Sequence, residues 1–327
     1  MLERWGHTVH VLGGHIYVFG GFGGLPCERP SKHRRVSQVS RCPLEALDQW
    51  EDIVLSADQS CPSPRQSHAS ENIDSHSILI FGGRSSPARP LQDCWRFDAK
   101  NQTWTRIEII TEEHVCIARW RHSLTRIAPN KFLVFGGRSA DSVLGDFALL
   151  SFDETTLSMR WETVQVSGET PSSRFSHSAV FDDSNGILYI FGGLETLQCQ
   201  TGSLDSCLYA LDVQSMSCSK TDLAEISSID LRAIPRFSHQ ALLIDKQLLL
   251  IGGITRDYRF DDMVSVDLET MTVSLPKISG SIPKFSWTLA RHRVVASNGT
   301  LVVLGGGASC FSFGTSFNPI IKIHVEE

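Results

Sequence analysis

The chain repeats itself six times, and that repetition limits its fold more than any other feature. Gly pairs that end an apolar run occur at Gly20-Gly21, Gly82-Gly83, Gly136-Gly137, Gly192-Gly193, Gly252-Gly253 and Gly305-Gly306, spaced 62, 54, 56, 60 and 53 residues apart. A histidine stands 13 to 15 residues before each pair: His7, His68, His122, His177, His239 and His292. Three residues before five of these is an arginine: Arg4, Arg65, Arg119, Arg174 and Arg236. The sixth copy has Leu289 there, with Arg291 and Arg293 flanking its histidine. Ser173 to Gly193 shows the unit most clearly, with two apolar runs around Asn185-Gly186. Alternation gives each strand one buried face, and Asn-Gly supplies the positive φ of a tight hairpin.

The second half of each unit is weaker but visible. Cys94–Asp98 and Thr103–Ile107 read as third and fourth strands of the second unit, the latter with Trp104. Phe147–Phe152 with Trp161, and Val36–Val39 with Trp50, repeat the pattern. Leu208–Leu211 is followed by Cys218 in place of the Trp, and Met263–Val266 by Thr272–Leu275 without one. A period of roughly fifty residues with four strands per unit points to a propeller. The marks resemble the kelch repeat. The expected fold is all-β: a single six-bladed kelch β-propeller over residues 1–327. Its blades fall roughly at 1–57, 58–110, 111–166, 167–225, 226–280 and 281–327. Ile320–Val325 aligns with a third strand and leaves no residues for a fourth, so the last blade is expected to be three-stranded. The chain reads as the C-terminal part of something larger, or a shortened relative of it.

Composition narrows the function classes. Hydrophobic content is 41%, enough for a sizeable core, but the apolar runs are strand-length and none could span a bilayer as a helix. The opening MLERWGHTVH lacks a signal-peptide pattern. Nine cysteines without a Cys-x-x-Cys argue against a disulfide framework or zinc site. Reduced thiols and a cytoplasmic location are the expectation. A net charge of −6 does not suggest a general nucleic-acid binder. Yet 22 Arg stand against 8 Lys, and Arg favours bidentate contact with carboxylate or phosphate.

GGGASCFSFGTSFNP, Gly305 to Pro319, is not ordinary kelch sequence. Together with Glu3-Arg4-Trp5-Gly6-His7-Thr8, it resembles the propeller of the tRNA wybutosine-synthesizing protein 4 family, also described as leucine carboxyl methyltransferase 2. The resemblance implies the last steps on the modified guanosine beside the anticodon of phenylalanine tRNA. There a carboxyl is methylated and an amine methoxycarbonylated, with S-adenosylmethionine bound by an N-terminal methyltransferase domain that precedes the propeller. No such domain is expected within these residues. Gly20-Gly-Phe-Gly-Gly24 runs into Leu25-Pro26 rather than a helix, so it reads as a strand end and not a nucleotide loop. The chain is therefore expected to hold no cofactor and to lack catalysis alone. Its expected partners are phenylalanine tRNA or a methyltransferase domain, with a general adaptor for acidic protein segments as the alternative. Neither membrane nor metal is expected.

In a propeller the short first-to-second turns share one face, while the long second-to-third and inter-blade loops share the other, where binding residues gather. The Arg-x-x-His openings fall at the loop-rich end. Arg4, Arg65, Arg119, Arg174 and Arg236 are thus candidates to ring the mouth and grip phosphate or carboxylate. The competing reading pairs each with a neighbouring carbonyl or carboxylate, because a repeated residue usually solves a repeated packing problem. The histidines are read as structural, bonded to neighbouring-blade backbone. Cys310, Phe311, Phe313, Phe317 and Asn318 form the family-like terminal loop. Its aromatics are read as core packing, with stacking on a base or docking of a methyltransferase domain as the alternatives.

Overall fold

The computed structural model describes residues 2–28, 32–56, 58–111, 116–197, 204–227, 234–256, 263–280, 289–297, 299–310 and 314–325. The chain divides into two compact units, Met1–Val164 and Gln165–Glu327. Each is built almost wholly from antiparallel meanders, and the one helix among the described residues is Leu223–Ile226 of the second unit, started by Asp222 accepting from the Ala224 N–H. No helix of the described residues is long and apolar enough to cross a membrane.

Unit 1 contains three meanders. The first orders Thr8–Leu12, His15–Phe19, Val39–Pro43 and Glu51–Asp52. The second runs from Ala69–Asn72 through Ser77–Phe81 and Cys94–Asp98 to Thr103–Thr111. The third runs from Ser123–Ala128 through Lys131–Phe135 and Phe147–Asp153 to Ser158–Val164. The second and third fuse into one eight-stranded sheet because Glu108 to Thr111 continue parallel to Ser158 to Trp161. Strand interiors such as Ser77–Phe81 are buried throughout, as expected where a sheet is covered on both faces. Trp104 packs on Phe97 of its own module at 4.9 Å and on Phe19 of the preceding one at 4.8 Å. Trp161 repeats this against Phe81 at 5.7 Å. These indoles fill the wedges between neighbouring modules.

Unit 2 repeats the plan with Ser178–Asp182 to Ser217–Asp222, then Gln240–Ile244 to Thr272–Ser274, then a sheet ending on Ile321–Val325. Ser167–Gly168 adds a fifth strand, parallel to Ser217 and Cys218.

The last sheet corrects the sequence reading. It has four strands rather than three, ordered Ile278–Gly280, Ile321–Val325, Thr300–Leu304 and Arg293–Ser297. The segment arriving from the fifth module pairs antiparallel with the third strand, with Ile278 opposite Val325 and Gly280 opposite Ile323. In the third and fourth modules the arriving segment sits outside the fourth strand. Here it moves one place inward and takes the outer position, covering an edge that would otherwise expose unpaired backbone.

Candidate functional site

The five repeated arginines are interior. Arg4, Arg65, Arg119 and Arg236 are 0% exposed and Arg174 is 1% exposed. Each guanidinium reaches the carbonyl of the first glycine in its own module's pair: Arg65 to Gly82 at 3.0 Å, Arg119 to Gly136 at 3.1 Å, Arg174 to Gly192 at 3.0 Å and Arg236 to Gly252 at 2.8 Å. Arg65 also grips Asp93 through two parallel bonds of 2.7 Å, and Arg119 grips Asp146 at 3.0 and 2.7 Å. Arg174 does the same with Asp205 at 3.3 and 3.0 Å. Such forks are the strong form of ion pair. Burial pushes the Asp93 carboxyl up, but the bonds and charge of Arg65 outweigh it and hold it below the usual carboxylate range. Arg4 has Ser40 Oγ at 3.3 Å rather than a carboxylate fork, and burial lowers it to about 10. Of the two readings open in the sequence, these contacts support pairing within the module. These arginines act as latches, with their guanidinium groups buried.

The latch also works between modules. The Arg65 carbonyl accepts from Gly21 N–H at 2.7 Å, and the Arg119 carbonyl from Gly83 N–H at 2.9 Å. In unit 2 the Arg236 carbonyl accepts from Gly193 N–H at 3.0 Å, and that of Leu289 from Gly253 N–H at 2.5 Å. This explains the Gly pairs. A Cβ on Gly82 would lie 2.7 Å from the Arg119 carbonyl oxygen, and one on Gly83 would lie 2.8 Å from His68 Cβ. Both glycines also have positive φ.

The histidines are structural in a way the sequence only half indicates. His68 Nε2 meets Thr8 Oγ1 at 2.9 Å, and His239 Nε2 meets Ser178 Oγ at 2.7 Å. For these two rings the Nε2 partner is a hydroxyl of the preceding module, while His177 and His292 bond to the backbone at Arg174 and Leu289. Burial, reinforced by nearby arginine charge, lowers His177 and His292 to about 3. The residue before each histidine is left-handed: Gly6, Ser67, Arg121, Ser176, Ser238 and Arg291 have φ of 56 to 65°. Their N–H groups form a relay, Arg121 to Ser67 at 2.9 Å and Ser67 to Gly6 at 2.7 Å in unit 1, Arg291 to Ser238 at 2.9 Å and Ser238 to Ser176 at 2.8 Å in unit 2. Five non-glycine residues hold this conformation because each N–H or C=O is committed to a neighbour.

The terminal loop folds as a hairpin, Gly307–Cys310 against Gly314–Phe317. Phe317 is half-buried. Asn318 is 4% exposed and its N–H donates to the Gly306 carbonyl at 3.1 Å. Phe311, Phe313 and the Cys310 side chain lie outside the described residues. The cluster Gly20 to Gly24 does not fit S-adenosylmethionine. Gly20 packs on Arg65 and His68, Phe22 and Gly23 pair with Trp5 and Arg4, and no helix follows among the described residues.

What the repeat leaves over lies one residue beyond each Gly pair. Phe22, Arg84, Arg138, Leu194 and Ile254 bridge in the same antiparallel way to Trp5, Gln66, Trp120, Phe175 and Phe237. Arg84 and Arg138 approach the same indole, that of Trp120, with Cζ 5.4 and 4.7 Å from the ring centroid. Arg121 follows Trp120 directly. The sequence reading passed these arginines over, although Gly-Gly-Arg-Ser occurs twice, at Gly82 to Ser85 and Gly136 to Ser139.

A family model described as tRNA wybutosine-synthesizing protein 4, beta-propeller, matches residues 62–320. The chain belongs to this family. A kelch motif also matches residues 4–39. The chain is similar to tRNA wybutosine-synthesizing protein 4 of Rattus norvegicus and of Homo sapiens, at 30% identity in each case, over 97% of this chain and 46% of the relative. The protein of the same name in Candida albicans is 27% identical over 94% of this chain and 42% of its own length. The chain thus spans less than half the length of these relatives.

Proposed function

We propose that this chain, as a six-bladed propeller, serves tRNA wybutosine synthesis as a recognition module. It engages phenylalanine tRNA, or a methyltransferase domain acting on that tRNA, rather than carrying out the transfer itself. The observation behind this is the family match over residues 62–320. The site chemistry supports it: the repeated Arg, His and Gly residues are consumed by the fold, so recognition falls to side chains that the repeat does not need. The direct test is titration of phenylalanine tRNA with the purified chain, beside an unrelated tRNA. Saturable binding with preference for phenylalanine tRNA is expected. No binding at low salt would remove the tRNA version and leave docking to a methyltransferase domain to be tested by co-purification.

A further inference from the structure

We infer that the wedge between the fifth and sixth modules binds a small molecule that carries a flat aromatic ring and an ammonium group. This goes beyond the reading as a tRNA module and does not depend on it.

From the second module onward, the residue four places before the Gly pair is opposite a third-strand residue, which is in turn opposite one in the fourth position. That fourth place holds Trp104 opposite Phe97, Trp161 opposite Leu150, Cys218 opposite Leu211 and Val273 opposite Val266. In the last sheet the same row runs from Leu301 through Ile323 to Gly280, a residue with no side chain. The facing wall loses a ring as well. Two places before the end of the second strand stands Tyr17 in the first module, but Leu249 in the fifth.

Between the first and second modules, three rings close the wedge. Tyr17 lies 6.1 Å from Phe97, and Phe97 lies 4.9 Å from Trp104. Leu12 is 3% exposed there. Between the fifth and sixth modules, Leu249 and Ile251 pack on Leu301 and Ile323, and Ile244, at the register position of Leu12, is 37% exposed. This wedge holds a cavity of about 670 Å³, lined among others by Ile244, Leu249, Leu301 and Val325. Small-molecule sites span about 300–1,000 Å³. The walls are two sheet faces, so the space suits a flat ring, as the other wedges suit an indole.

The charge comes from the rim. Gln247 and Ser265 of the wall are already paired: Gln247 donates to Asp267 at 2.7 Å and accepts from Ser265 at 2.8 Å. Asp245 also lines the cavity and is exposed, while Lys246 beside it turns to Asp182 at 3.0 Å. A carboxylate at the mouth of an apolar slot selects a cationic guest over an anionic one.

The test titrates the folded chain with tryptamine and with indole-3-acetate, which share a ring and carry opposite charges. The methyl resonances of Ile244, Leu249, Leu301 and Val325 report the site. Saturable binding of tryptamine at these methyls is expected, about fivefold tighter than that of indole-3-acetate. Asp245→Asn is expected to remove the preference and keep the binding. Leu249→Tyr/Gly280→Trp, which restores the rings of the first wedge, is expected to weaken tryptamine binding about tenfold or more with the denaturant midpoint level or raised. If that pair does not fold, Leu249→Tyr alone carries the same comparison. No saturable shift at these methyls, or undiminished binding in a folded, filled variant, overturns the site. Equal affinity for the two probes overturns the cationic class. Methyl shifts that follow the concentration of the chain itself, with dimers in sedimentation and no response to tryptamine, assign the wedge to a second copy and overturn the small-molecule reading.

Discussion

Arg119 and Arg138 belong to the same module and sit in opposite surroundings. Arg119 is fully buried, forked onto Asp146 and stacked 5.1 Å over Trp161. Arg138 lies half-buried on Trp120, one residue past the Gly pair. The first position is repeated in five modules, whereas the second is arginine in only two of the copies. The contrast teaches that in a repeat protein recurrence marks the scaffold. Recognition has to be sought where equivalent positions differ.

Substitutions can break that contrast. Arg119→Ala would leave Asp146 without its fork and remove the bond to Gly136. A loss of about 3–5 kcal/mol is expected, read as a fall in denaturant midpoint. Trp104→Ala should cost a similar ~3–5 kcal/mol by emptying the wedge against Phe19 and Phe97. Gly83→Ala should cost more than ~1 kcal/mol, since φ of 93° and contact with His68 both oppose a Cβ. Arg138→Gln forfeits one cation–π contact and should cost only about 0.5–1 kcal/mol. If Arg138→Gln proved as destabilising as Arg119→Ala, the distinction between repeated and unrepeated positions would collapse.

Acid tests the histidine core. His177 and His292 stay neutral in the folded chain down to about pH 3, whereas in the unfolded chain they take up protons below about pH 6.5. The unfolded state therefore binds more protons in that window, and stability falls as pH drops from about 6.5 towards 3. The slope is on the order of 1.4 kcal/mol per pH unit for each histidine. Asp93, held below its usual range, adds a further loss as pH falls through the carboxylate range. A denaturant midpoint that stayed flat between pH 6.5 and 4 would contradict this account of the core.

Much of the fold was legible because strand alternation and Gly pairs are local signals. Cys94–Asp98 has in the structure the bounds that the sequence pattern gives it, and Trp104 marks the strand that follows it. The outer strand of the last sheet was not legible. Ile278–Gly280 is three residues without alternation, and only its distant partner Ile323 makes it a strand. The site was harder still. Whether Arg65 points inward depends on Asp93, 28 residues on, and whether Arg84 stacks depends on Trp120 in the next module. Neither contact follows from the pattern of one repeat. The doubled Gly-Gly-Arg-Ser was the available clue, and it was overshadowed by the more regular Arg-x-x-His.

The central claim is that the arginines at the repeated position hold the fold, whereas the position one residue past the Gly pair does not. It is tested most directly by comparing the denaturant midpoints of Arg119→Ala and Arg138→Gln. The account predicts a loss of about 3–5 kcal/mol for the first and about 0.5–1 kcal/mol for the second. Equal losses would contradict it.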